Sequence, residues 1–221
     1  MSSRKAGHSI YQLGHKRLGN AIAYYFGAGT AVVVLVILLP LLQFSHLGLF
    51  LYLGLGVGGY LLYHQGEQLR KKAARAYQGA AAEAEVGKLL KVLQAKGWQV
   101  EANVPVKGLG DLDFAIKSPS GHYFVVDTKS HKGTKIYLNG QLTRRYGRNI
   151  YPFHEGNLLE KVKRQARSLS VRVSKPVVAV LCFTQGEVDI PNGVADDVLV
   201  VFKDDLLVTL VDWDRKLNIL R

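Results

Sequence analysis

The chain has 221 residues, 29 Lys or Arg against 17 Asp or Glu, a formal net charge of +12, 48% hydrophobic residues and one cysteine. The lone Cys182 excludes an internal disulfide and a cysteine-rich zinc centre, and in the apolar run Val177–Phe183 it reads as a buried, inert thiol. The positive balance points to polyanionic partners, either nucleic acid or an anionic lipid surface.

Charge is missing from one region altogether: residues 18 to 66 hold no Asp, Glu, Lys or Arg. A bilayer crossing takes about 20 apolar residues. The stretch divides into two such segments, Ala21–Phe44 and Leu47–Tyr63, with Gln43, Ser45 and His46 at the turn. A signal peptide would start earlier, run shorter and not repeat after a polar break. Arg4, Lys5, Lys16 and Arg17 precede the first segment, and Arg70, Lys71, Lys72 and Arg75 follow the second. With no positive charge between them, both termini are expected in the cytoplasm. The second segment carries Gly48, Gly54, Gly56, Gly58 and Gly59. Gly54 and Gly58 form a small-xxx-small pair that lets helices approach closely, either within the hairpin or between two copies as a homodimer.

The expected organisation is a basic N-terminus over 1–20, two membrane helices over 21–64, a charged linker over 65–78, and a soluble domain over 79–221 large enough for its own core. Glu67–Tyr77 favours helix and can continue the second membrane helix. From Gly79 to Lys96, Ala82, Val86, Leu89, Leu90 and Leu93 share one helical face, and Gly97 stops the helix. Trp98–Val106, Leu112–Lys117 and Tyr123–Lys129 read as strands, the last two joined by the turn residues Ser118–Gly121. Lys135–Leu138 suits a short strand before an Asn139–Gly140 turn, and Thr143–Gly156 has no clear period and reads as a basic loop. Leu158, Leu159, Val162, Ala166 and Leu169 mark a second amphipathic helix. Val177–Phe183 and Val198–Phe202 read as buried strands, and Asp204–Trp213 as a last helix opened by acidic residues at its positive end.

Three strand-borne positions stand out in that order: Asp113, Asp127 and Lys129. Alternation puts Asp127 and Lys129 on one face of their strand, with Val126 and Thr128 on the other. Two carboxylates on adjacent strands beside a lysine can hold a hard divalent cation such as magnesium, with Asp113, Asp127 and the backbone carbonyl of Thr128 as oxygen ligands. Such an ion acidifies a water and stabilises charge on a phosphodiester, and Lys129 would orient that water or neutralise the phosphate. The same residues also suit plainer roles, a strand-end aspartate as a turn residue and Asp127–Lys129 as a surface ion pair. Against these, Asp127 ends the strongly apolar run Tyr123–Val126.

At these residues the sequence resembles the nuclease-related domain (NERD), a branch of the PD-(D/E)xK restriction-endonuclease-like superfamily. Gly79-Ala80-Ala81-Ala82-Glu83 is similar to the family's Gly-x-x-Gly-Glu opening, and Gly110-Asp111-Leu112-Asp113-Phe114 to its acidic-Ile-Asp strand. Gly121 to Lys129 resembles its strand ending in acidic-x-Lys, Gln165-Ala166 its helical glutamine, and Pro176 to Phe183 the strand that follows. The departures are Ala82 for the second glycine, Asp127 where Glu is commoner, and Phe114 for a frequent histidine. The resemblance implies a restriction-endonuclease-like domain with a mixed central sheet flanked by helices, so that, with the membrane segments read above, the expected fold is α/β with an N-terminal transmembrane helical hairpin ahead of that domain. It also implies a nuclease that hydrolyses DNA phosphodiester bonds with Mg2+ or Mn2+. Asp113 and Asp127 would ligate the metal, Lys129 would act on the water, and Glu83, with Glu85 as its rival, would add a ligand or an orienting group. Asp111 would raise the negative potential. Gln165 would support the site or touch substrate, the alternative being an exposed helix glutamine.

Between Thr128 and Lys175 there are twelve Lys or Arg against Glu155 and Glu160. Lys132, Lys135, Arg144, Arg145, Arg148, Lys161, Lys163, Arg164 and Arg167 follow the hairpin and suit phosphate contacts. Tyr137, Tyr146 and Tyr151 among them suit either base stacking or packing. His131 and His154 receive no role. The competing reading is a non-catalytic nucleic-acid-binding or membrane-surface module on a degenerate nuclease fold, and a third is a scaffold that recruits partners.

Overall fold

The computed structural model describes residues 6–42, 46–106, 108 and 110–219. Arg4 and Lys5 of the basic flank, and Gln43 and Ser45 of the expected turn, lie outside the described residues. The chain is mixed α/β and divides into two compact units: Ser9–Gln78, and a second that runs from Gly79 onward and takes in the residues up to His8.

The first unit is built from α1 (His8–Leu42) and the first part of α2 (His46–Gln94), packed antiparallel. Gly59 lies against Ala28 and Ala31, Gly66 against the Tyr25 ring, and Tyr77 edge-on to Tyr11 and His15, so the pairings descend one helix as they climb the other. The Tyr25 hydroxyl donates to Glu67 at 2.6 Å, and Arg70 holds both Glu67 oxygens at 2.9 and 3.0 Å. Within this unit Gly14, Gly59 and Gly66 make close approaches, Gly14 against the Tyr77 ring, whereas Gly54 and Gly58 face open space. Nothing interrupts α2 after Glu67, because the linker is made of Gln, Leu, Arg, Lys and Ala, all strong helix formers. Among the described residues, one helix, His8–Leu38, is long and apolar enough to cross a membrane. Phe26 and Val36 on α1 are exposed, and so are Phe50, Val57 and Leu61 on α2.

In the second unit α2 ends at Gln94, and the turn that follows closes at Gly97, whose φ of +86° suits a glycine stop. The chain then forms β1 (Gln99–Val106), β2 (Gly110–Lys117), β3 (Tyr123–Lys129), β4 (Thr134–Leu138), β5 (Gln141–Tyr146) and β6 (Asn149–Tyr151). After these come α3 (Leu158–Val173), β7 (Val177–Phe183), β8 (Glu187–Asp189), β9 (Val194–Ala195), β10 (Val198–Phe202) and α4 (Leu206–Ile219). The main sheet has the order β1-β2-β3-β7-β10-β9, antiparallel from β1 to β3 and parallel from β3 through β7 to β10. Leu159, Val162, Ala166 and Leu169 of α3 cover one face, against Val125, Leu181 and Val200. Val86, Leu90 and Leu93 of α2, with Leu206 and Leu210 of α4, cover the other, against Phe124, Val126, Val180 and Cys182. Sandwiched in this way, β3 and β7 read as continuous apolar runs. Cys182 is fully buried, and burial pushes its thiol well up, as expected of an inert group.

The expected basic loop over Thr143–Gly156 is corrected by β5 and β6, which join a second sheet of order β6-β5-β4-β8. Asn139 and Gly140 turn its first hairpin with φ of +50° and +76°. Only Ile136 and Leu142 of these strands are buried apolar residues, so Thr143-Arg144-Arg145-Tyr146 shows no alternation, and backbone pairing alone defines the strand.

Candidate active site

Asp113 sits where β2 leaves β3. The ladder between them ends at Phe114 opposite Val126. Beyond that pair, the Asp113 carboxylate replaces a strand carbonyl, accepting the Thr128 N–H at 2.6 Å. The parting has a local cause. Leu112 and Phe114 are two apart, yet they enter opposite cores, as do their β1 partners Val104 and Ala102. The face reverses between them, where Asn103 holds a left-handed φ of +53°.

The opening exposes the end of β3. Asp127, only 2% exposed, forms a buried ion pair with Lys129, whose ammonium also donates to the Thr128 carbonyl at 3.2 Å. From α3, Gln165 donates to Asp127 at 3.4 Å and Lys161 stands 3.6 Å from the same oxygen. Glu83, 4% exposed on α2, lies within electrostatic range of Asp127, Asp111 and Lys129 and accepts the backbone N–H of Gly7. The site thus brings together Glu83, Asp113, Asp127, Thr128, Lys129 and Gln165. Glu85 turns away to pair with Lys203, and Asp111 stays exposed.

The charges act on one another. Burial, with Asp127 and Asp111 adding to it, raises Glu83 to about 7, and burial with Asp127 and Glu83 raises Asp113 well above the usual carboxylate range. Burial opposes the charge of Lys129, but Asp127 and then Asp113 outweigh it and hold the ammonium above the ordinary lysine value. Lys129 therefore remains a cation near neutral pH, and Glu83 is the group poised to exchange a proton there.

Among the described residues, no three His, Cys, Asp or Glu side chains are gathered closely enough to hold a metal ion outright. Asp113 is engaged by the Thr128 amide and Asp127 by Lys129. The donor chemistry nevertheless fits a hard divalent cation, since Glu83, Asp113, Asp127 and the Thr128 carbonyl supply oxygen alone. Two of these donors, Asp127 and the Thr128 carbonyl, already hold a cation in the Lys129 ammonium.

The basic residues divide into distinct groups. Lys132, Arg148 and Arg164 are exposed. Arg145 pairs with Asp189, Lys163 with Asp196 and Glu160, and Arg167 with Glu160, while the Arg144 guanidinium lies between the Tyr146 and Phe153 rings. Lys135 does not serve as a surface phosphate contact: it is fully buried, and its ammonium donates to the carbonyls of His131, Gly133 and Gln185 above the Phe183 ring. Lys135→Met strands those carbonyls and should cost about 3 kcal/mol of stability. Thermal melting of the full chain checks this, and an unchanged midpoint contradicts it.

Two site residues escaped the sequence reading of the catalytic set. Lys161 was grouped with the phosphate contacts, although its spacing of four from Gln165 puts both on one helix face. His131 binds Glu155 at 2.9 Å and holds its carboxyl below the usual range, and Glu155 lies within electrostatic range of Lys129 and Lys161. Nothing local in the sequence signals that pair.

The second unit is thus an α/β domain whose strand end buries Asp-x-Lys beside a second carboxylate. Residues 78–184 match the family model of the nuclease-related domain (NERD), which supports the NERD family and a nuclease-like function for that stretch. No curated protein and no solved structure matches the chain.

Proposed function

We propose that the chain is a membrane-anchored, divalent-metal-dependent nuclease that hydrolyses DNA phosphodiester bonds on the cytoplasmic side. The observation that carries this reading is the convergence of Glu83, Asp113, Asp127, Lys129 and Gln165 at the opening between β2 and β3, within the NERD-matching stretch.

Glu83, Asp113, Asp127 and the Thr128 carbonyl would hold Mg2+ or Mn2+, which when bound supplies Lewis-acid polarisation of the phosphodiester and an acidified water. The remaining work falls to the chain. Lys129, kept charged, neutralises the scissile phosphate and orients the water by hydrogen bonding. Gln165 fixes the Asp127 carboxylate, and Lys161, half-exposed at the mouth, meets the incoming phosphate. Lys132, Arg148 and Arg164 extend the positive surface beyond the site.

A second crossing by the first part of α2 is supported by its exposed Phe50, Val57 and Leu61, an apolar surface that water-soluble helices seldom leave uncovered. With Lys16 and Arg17 on α1 ahead of the uncharged stretch 18–66 and Arg70, Lys71, Lys72 and Arg75 on α2 beyond it, both termini and the nuclease domain face the cytoplasm. Gly54 and Gly58, which have no described residue within 4 Å of where a Cβ would stand, leave room for a second copy.

The test is incubation of the full chain in detergent micelles with linear and circular DNA. Cleavage is expected with Mg2+ or Mn2+, is suppressed by a chelator and is lost in Asp113→Ala. A second reading, a nucleic-acid-binding or membrane-surface module on a degenerate nuclease fold, draws on the closed Asp127–Lys129 pair and the ungathered carboxylates. It predicts salt-sensitive binding to DNA or anionic vesicles that survives Asp127→Ala, with no cleavage under any condition.

A further inference from the structure

Ala6 and Gly7, just ahead of α1, belong to the same unit as the candidate site. Ala6 packs against the core between α2 and the sheet, where a Cβ on Gly87 would lie 3.1 Å from the Ala6 Cβ. Gly7 is buried with a left-handed φ of +76°, and a Cβ there would come within 2.5 Å of the Ala80 carbonyl oxygen, a backbone atom that cannot swing aside. Only glycine combines this conformation with this approach. The result is a backbone N–H aimed at the Glu83 carboxylate one turn along α2 from Ala80.

We propose that Gly7 is a positioning residue of the site: its amide fixes the Glu83 carboxylate toward the space shared with Asp113 and Asp127, so this residue ahead of the first helix completes the metal-binding wall. A glutamate has three side-chain torsions, and Lys129, the positive charge that acts on Glu83, is already engaged by Asp127 and Thr128. A rigid amide supplies the missing restraint, as outer-shell donors do for ligating carboxylates. A fragment starting at Gly79 keeps Glu83, Asp113, Asp127 and Lys129 but loses this donor. The inference rests on the nuclease reading above.

The experiment measures Mn2+ binding by calorimetry on the full chain in detergent, for the wild type, Gly7→Ala, Glu83→Gln and the double variant, alongside DNA affinity and melting temperature. Gly7→Ala is expected to weaken Mn2+ binding about tenfold with DNA affinity unchanged. It should add nothing in the Glu83→Gln background, the mark of two residues acting as one. Any other residue at position 7 sets a Cβ against the same Ala80 oxygen, so Mn2+ binding of Gly7→Ala is read on the folded fraction defined by its melting transition. If Gly7→Ala binds Mn2+ like the wild type, or weakens it equally without Glu83, the positioning role is wrong while the nuclease reading stands. If the wild type takes up no Mn2+, the metal-dependent reading falls and this inference falls with it.

Discussion

Lys129→Met is expected to lower the single-turnover rate of DNA cleavage about a thousandfold, the scale for losing a positioned charge at a reacting phosphate, while changing DNA affinity little. The ammonium bridges Asp127 and the Thr128 carbonyl in a place with almost no solvent. Removing one partner of such a pair strands the other, at a cost of about 3–5 kcal/mol when nothing else answers it. Here Lys161 at 3.6 Å and Gln165 at 3.4 Å answer part of it, so the chain should still fold. Lys129→Arg should not restore the rate, because the planar guanidinium is larger than the space filled by an ammonium and delivers its protons in a fixed fork. Asp127→Asn keeps the shape but not the charge and should fall as far as Lys129→Met. Quench-flow cleavage with anisotropy for DNA binding separates rate from affinity. A Lys129→Met rate within tenfold of wild type removes this lysine from the chemistry.

Much of the layout was legible because each signal was local. The apolar runs Tyr123–Lys129 and Val177–Phe183 are the central strands to the residue, since a strand buried on both faces needs no alternation and turn chemistry marks its ends. The α3 face was legible from helical spacing, and Asn157 caps it by accepting the Glu160 N–H at 3.1 Å. What escaped was set by distant partners. Lys135 has the composition of a surface residue and is internal only because the loops after β3 and β7 offer it three carbonyls. The split destination of Leu112 and Phe114 depends on a left-handed Asn103 on a different strand. Gly7 lies more than seventy residues from Glu83, with the whole uncharged stretch 18–66 between them in sequence. Asp113, Asp127 and Lys129 were nameable from their motif, but the amide that Asp113 holds follows from strand divergence and not from spacing.

In metal-free buffer the catalytic unit is expected to lose stability as the pH rises from about 4.5 to about 7, and to regain it on addition of Mn2+. Glu83 has a folded pKa of about 7 against an ordinary 4.5. Below 4.5 both folded and unfolded chains hold the proton, so the folded state suffers no penalty. Between the two values the folded chain keeps a proton that the unfolded chain has released, and stability falls with pH until Glu83 ionises in both. At about 1.4 kcal/mol per pH unit the loss is on the order of 3 kcal/mol, and the raised Asp113 works in the same direction. A divalent cation reverses the sign, because it binds the ionised carboxylates and so favours the folded state most where they are deprotonated. Trp98 and Trp213, the two tryptophans, both lie in this unit, so their fluorescence follows its melting separately from the helical unit. Glu83→Gln removes the titrating group and should flatten most of the metal-free slope, raising the melting temperature at pH 8 but not at pH 4, while weakening the response to Mn2+. A metal-free wild type that melts at the same temperature at pH 5 and pH 8, or a Glu83→Gln variant that keeps the full slope, takes Glu83 out of the charge balance of the site.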